Sequence, residues 1–294
     1  MNTDESKNVA LFSFSTWITQ GFWLALAYKW HLSFAGLIIV CSQNLLLVSA
    51  TRLFQVHEGD PYLLIMSGVF AALGLLFYPI MSIGFVTLIH KIDSKTFEPD
   101  QFFKLLLSGF GVSFYRLLSL GGFLLFAHVV FALIMGTLAA ITQSMALQSN
   151  TDITSNVFIQ YQNITLLFGF VMFYPFVIAS FIFSPLLIAF ESDTPVLKAM
   201  LKSWSIVTSN LLSFVLFILF ALLSFVFFIF SLSLIPAVLI GLLAMLPWDN
   251  KFAALQSLMV LPLLAAITGL CFCIAWFYCA IYQAYKALLT TINS

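Results

Sequence analysis

The chain has 294 residues, of which 62% are hydrophobic and only 7% charged, and its formal net charge is zero. Soluble domains carry about 25% charged residues, so a water-soluble protein of this composition is excluded and the expected solvent is lipid. A neutral chain also lacks the basic surface that phosphate backbones select, so no nucleic-acid partner is expected.

The first ten residues, MNTDESKNVA, are polar and mixed in charge. They lack the basic start and apolar core of a signal peptide, so the first membrane helix is expected to insert and stay in the chain. Removing every Asp, Glu, Lys and Arg leaves six long uncharged stretches: 30–51, 61–90, 117–151, 153–190, 203–248 and 252–285. A span needs about 20 mainly apolar residues, and each stretch holds one. The expected spans are 32–51, 62–89, 115–145, 159–189, 208–232 and 256–284. The runs are continuously apolar, whereas barrel strands alternate every second residue. The expected fold is therefore all-α: a polytopic membrane helix bundle of about six transmembrane helices, in one membrane domain covering 1–294. The stretch 233–248, broken by Pro236 and Gly241, reads as a kinked extension, a re-entrant piece or an extra span.

Orientation follows Lys and Arg. With six spans, Lys7, Lys29, Lys91, Lys95, Lys104, Arg116, Lys198, Lys202 and Lys286 fall on one side, and Arg52 and Lys251 on the other. This bias places both termini in the cytoplasm. The third connection, near 147–157, has no basic residue and suits the outer side.

Residues 103–126 (FKLLLSGFGVSFYRLLSLGGFLLF) and 197–220 (LKAMLKSWSIVTSNLLSFVLFILF) match at an offset of 94, with eight of 24 positions identical. Lys104 pairs with Lys198, Ser119 with Ser213 and Phe123 with Phe217. A third copy, 12–34, matches in layout, with Lys29 on Arg116. Each copy is an amphipathic segment, a basic or polar step and then a span. In 194–204, Thr194, Lys198 and Lys202 share one face, and Val196, Leu197, Met200, Leu201 and Trp204 form the other. In 101–110, Gln101, Lys104 and Ser108 oppose Phe102, Phe103, Leu106 and Phe110. Such patterns predict helices lying in the membrane interface. Thr194-Pro195 predicts a helix start, with a capping hydroxyl and Pro at the first position. The whole reads as three parallel repeats of an in-plane helix plus a two-span hairpin, at about 12–90, 97–190 and 194–286.

The entry WITQGFWLALAYKW, the PIMSIGFV end of the second span, and FSPLLIAFESDTPVLKAMLKSW leading to Asn210 carry a resemblance. They resemble a family of bacterial six-helix inner-membrane proteins with no defined activity. The general form is similar to the membrane domain attached to some bacterial glycerophosphodiester phosphodiesterases, whose catalytic domain has no counterpart here. The resemblance implies a bacterial inner-membrane location and supplies no catalytic residues.

Candidate chemistry is sparse. Ionisable residues inside spans mark functional sites by default, and His128, in LLFAHVVFAL, is one. Gln43 and Asn44 in the first span join it as a candidate intramembrane polar site, or serve as hydrogen-bonding glue between helices. Lys104, Arg116, Lys198 and Lys202 are candidate lipid-headgroup contacts, because their apolar stems can lie along lipid while the charge reaches phosphate. Cys41, Cys271, Cys273 and Cys279 all lie in apolar runs and read as packing residues. HEGD, with His57, Glu58 and Asp60, reads as a solvated turn. Trp17, Trp23, Tyr28, Trp30, Trp204 and Trp248 read as interfacial belts. No catalytic, cofactor or metal residue is assigned. The expected function is a non-enzymatic, lipid-associated scaffold or modulator of the envelope, with membrane lipids and other membrane proteins as partners. The alternative is a transporter or channel for a small apolar or lipid-like solute, resting on the repeat, the span prolines and Gln43/Asn44.

Overall fold

A computed structural model describes residues 13–39, 61–111, 113–148, 173, 177–191, 194–221, 223–224, 226–227, 230 and 251–290. The fold is all-α, and no strand occurs among the described residues. The helices are α1 (Ser13–Ala27), α2 (Lys29–Ile39), α3 (Pro61–Asp93), α4 (Phe102–Leu106), α5 (Phe114–Gln148), α6 (Ser184–Phe190), α7 (Val196–Ser209), α8 (Leu211–Ala221) and α9 (Lys251–Thr290).

Three stretches among the described residues are long and apolar enough to cross a membrane: Gly68–Asp93, Phe114–Leu138 and Ile267–Leu288. The number rises to five if each bent pair, α1 with α2 and α7 with α8, counts as one span. A hydrocarbon core of about 30 Å needs some 20 helical residues, and α3, α5 and α9 hold 33, 35 and 40. Their outer faces carry large exposed apolar residues, such as Phe126, Leu133 and Ile134 of α5. Water would penalise so broad an apolar surface, whereas lipid covers it without cost. The chain is a multi-pass membrane protein.

The chain divides into two compact units, each built from separate segments. The first comprises Met1–Leu45, Gly84–Ser108 and Ser209–Ser294. In it, α1 turns through 102° into α2 at Tyr28. Helix α1 lies directly on α9. A Cβ on Gly21 would stand 2.6 Å from the Ala280 backbone nitrogen, so this contact admits only glycine. The Trp276 indole donates to the Ile18 carbonyl at 2.9 Å. Trp17 is only 2% exposed and packs on Phe214 of α8 with ring centroids 5.6 Å apart. It is core and no part of an interfacial belt, whereas Trp23 and Trp30 are exposed. Helix α3 ends on Lys95, whose φ of 57° is left-handed, with Thr96 N–H donating to the Lys91 carbonyl. That is the hydrogen-bond pattern of a Schellman stop, built here on lysine where glycine is usual.

The second unit comprises Leu46–Ile83 and Gly109–Thr208. Its α6 starts with Pro at the first turn and stops at Glu191, whose backbone is extended. Helix α7 packs through a stripe of Ala199, Ser203, Ile206 and Val207, all buried. This buried stripe adds to the amphipathic pattern expected from the sequence. Leu197 and Leu201, on the expected apolar face, are 58% and 62% exposed. They face the surroundings, and Ala199 and Ser203 face the protein.

The segment 101–110, by contrast, is not one amphipathic helix. It is a 3-10 turn at Pro99–Gln101, the five-residue α4, and a second 3-10 turn at Ser108–Phe110. Ser108, Gly109 and Gly111 are poor helix formers. Gly109 also lies so close to α3 that a Cβ would fall 2.0 Å from the Ile80 carbonyl oxygen.

Candidate functional site

The turn between α6 and α7 converges on Glu191. The Thr194 hydroxyl donates to its Oε2 at 2.9 Å. The Lys202 ammonium donates to its Oε1 at 2.5 Å. Thr194, expected to cap α7, thus spends its hydroxyl on the Glu191 side chain. Lys202 is tied down, and both partners of the pair are about one-third exposed. One turn earlier on the same face, Lys198 is exposed and makes no ion pair among the described residues. Beneath them, Ser203 donates to the Ala179 carbonyl at 2.7 Å and accepts from the Phe183 N–H at 3.2 Å. One buried hydroxyl thereby fastens α7 to the segment that enters α6.

Lys104 is exposed on α4, between exposed Phe103 and Leu107. Arg116 is half-buried near the start of α5, and its Nη2 donates to the Ser113 hydroxyl at 3.3 Å. Lys29 stands at the α1–α2 corner with its ammonium 5.9 Å from the Trp30 ring centroid. At these places a cation sits beside exposed apolar or aromatic side chains, the arrangement suited to a headgroup boundary.

His128 is half-buried in α5. Its Nδ1 lies 2.8 Å from the Leu124 carbonyl, one turn back in the same helix. The ring stands edge-on to Phe173. Gln43 and Asn44 lie outside the described residues, as do Cys41, His57, Glu58, Asp60, Trp248 and the stretch 233–248.

A polar cluster missed from the sequence joins the ends of α3 and α9 in the first unit. His90 Nδ1 is 2.8 Å from the Tyr282 hydroxyl. Asp93 takes Gln283 Nε2 at 3.3 Å and the Lys286 ammonium at 2.8 Å. Lys91, Lys95 and Lys286 were read only for orientation. The available signal was the spacing: His90 and Asp93 are three apart, and Tyr282, Gln283 and Lys286 span one helical turn, so each set shares one face. These three contacts join one helix end to the other, and the cluster reads as a clasp.

Among the described residues, Cys271, Cys273 and Cys279 form no disulfide. Among the described residues, no group of three or more His, Cys, Asp or Glu side chains could hold a metal ion. The fold and these surfaces define an all-α, multi-pass membrane protein with cations set at apolar boundaries. Comparison with protein families, with curated proteins and with solved structures found no match for this chain.

Proposed function

We propose that this is a non-enzymatic protein of the bacterial inner membrane that scaffolds or modulates envelope lipids through short helices lying in the cytoplasmic interface. The observation that carries the reading is the pair of near-right-angle bends, 102° between α1 and α2 and 89° between α7 and α8. If α2 and α8 begin spans, α1 and α7 lie along the membrane surface. Exposed Leu197 and Leu201 then enter the acyl region while Lys198 reaches the headgroups. Each basic residue near an anionic leaflet contributes on the order of 1 kcal/mol. Six spans, three repeats and cytoplasmic termini complete the reading.

The structure narrows the test to Lys198, because Lys202 is held by Glu191. Lys198→Glu lowers the anionic lipid that co-purifies after mild solubilisation, measured by native mass spectrometry on matched samples. Unchanged retention in a correctly inserted variant removes the lipid-contact reading. Reporter fusions after Ser294 and near Thr151 test orientation: a periplasmic signal at Ser294 rejects the six-span arrangement.

A further inference from the structure

A second feature of the first unit is a cavity of about 250 Å³ between α1, α8 with its continuation at Ser224, and α9. Ile18, Phe217, Phe220, Cys273, Trp276 and Phe277 contribute to its walls. The strongest donor among them, the Trp276 indole, is already spent on the Ile18 carbonyl. A ligand would therefore be held by shape and apolar contact.

The size selects among apolar ligands. An engineered apolar cavity of roughly 150 Å³ takes up a single benzene, and pockets for drug-sized molecules start near 300 Å³. This cavity exceeds the first and falls short of the second, which suits a stretch of alkyl chain. Its outer wall is continuous with the surface the bilayer covers. Phe220 is 42% exposed, and Leu219, Leu223 and Phe227 beside it are 50%, 59% and 72% exposed. The medium outside is hydrocarbon chain.

We infer that the groove between α1, α8 and α9 holds one acyl chain of a bilayer phospholipid against Trp276. The inference deepens the proposed lipid association and rests on it for the source of the chain. The bound chain fills the space under the in-plane helix α1, so lipid becomes part of the contact between α1 and the bundle.

Trp276 supplies the readout. The protein is placed in nanodiscs of phosphatidylcholine with brominated or unbrominated chains, and Trp276→Phe is run in parallel to isolate the contribution of Trp276. Ala221→Phe and, separately, Cys273→Phe fill the groove, with thermal melting as the check on folding. The expected result is strong quenching of Trp276 in the unmodified protein and loss of most of it in whichever filled variant melts normally. Equal quenching in both would mean that Trp276 touches bulk lipid outside any groove, and would overturn the inference. Absent quenching in the unmodified protein would mean that a protein segment or a second copy covers the groove, and would overturn it too. If either result appears while Lys198 still controls anionic-lipid retention, the groove alone is rejected and the wider lipid reading stands.

Discussion

The two bent pairs, α1–α2 and α7–α8, reach one geometry from different chemistry. Helix α1, SFSTWITQGFWLALA, has no charged residue. Helix α7 carries Lys198 and Lys202. Both turn close to a right angle into the next helix. Both are pinned by one small residue against another segment: Gly21 on Ala280, and Ser203 on Ala179 and Phe183. The turn and the packing therefore need a small residue and no lysine. Lys202 is held by Glu191, whereas Lys198 is surplus to these contacts, which leaves it available for the membrane surface.

Gly21 is the more sensitive of the two pins. Gly21→Val places side-chain atoms into the Ala280 backbone, which has no flexible end to move aside. Overpacking of this kind costs about 3 kcal/mol. The expected outcome is loss of most folded protein, read by fluorescence-detected size exclusion and by melting. A variant that melts like the unmodified protein would show that α1 does not depend on this contact.

Ser203 holds α7 by two hydrogen bonds and tolerates more. Ser203→Ala removes two buried hydrogen bonds, each contributing about 1 kcal/mol net. Lys202→Met breaks an ion pair that is one-third exposed, and such pairs contribute about 0–1 kcal/mol. Ser203→Ala should therefore lower the melting temperature more than Lys202→Met. The reverse order would mean that charge holds α7 in place.

The smallest effect belongs to the clasp between α3 and α9. Lys286 is 54% exposed and Asp93 19%, so solvent screens the pair. A double-mutant cycle with Asp93→Ala and Lys286→Ala should return a coupling of about 0.5 kcal/mol. A coupling near zero would leave the His90–Tyr282 and Asp93–Gln283 contacts to hold these ends.

The helical class and the places where helices turn were legible because they depend on local sequence. Tyr28 and Asn210, where the bends fall, sit at the expected step from amphipathic segment to span. The faces that pack on protein were not legible. In α7, Leu197 and Leu201 of the apolar face are exposed while Ala199 and Ser203 are buried. In lipid an apolar side chain is at ease on either side, so polarity alone does not tell which face meets protein. Trp17, expected in an interfacial belt, is core for the same reason. The clasp was hidden because its partners lie about 190 residues apart. One local signal went unused: FYPIMSIGF at 77–85, FYPFVIASF at 173–181 and FYCAIYQAY at 277–285 begin alike. Contacts to α1 and to the Gly109 turn fall just past the first two residues of two of them, at Ala280 and Ile80.

The most direct test of the account is the depth of α7 in the bilayer. Single cysteines carrying spin labels at successive positions from Leu197 to Thr208, in a background lacking the native cysteines, report depth through their accessibility to oxygen and to a polar relaxant. An in-plane helix predicts one mean depth for all positions, with a period of about 3.6 residues and with oxygen access highest at Leu197 and Leu201 and lowest at Ala199 and Ser203. A depth that increases steadily by about 1.5 Å per residue would make α7 part of a span and contradict the account.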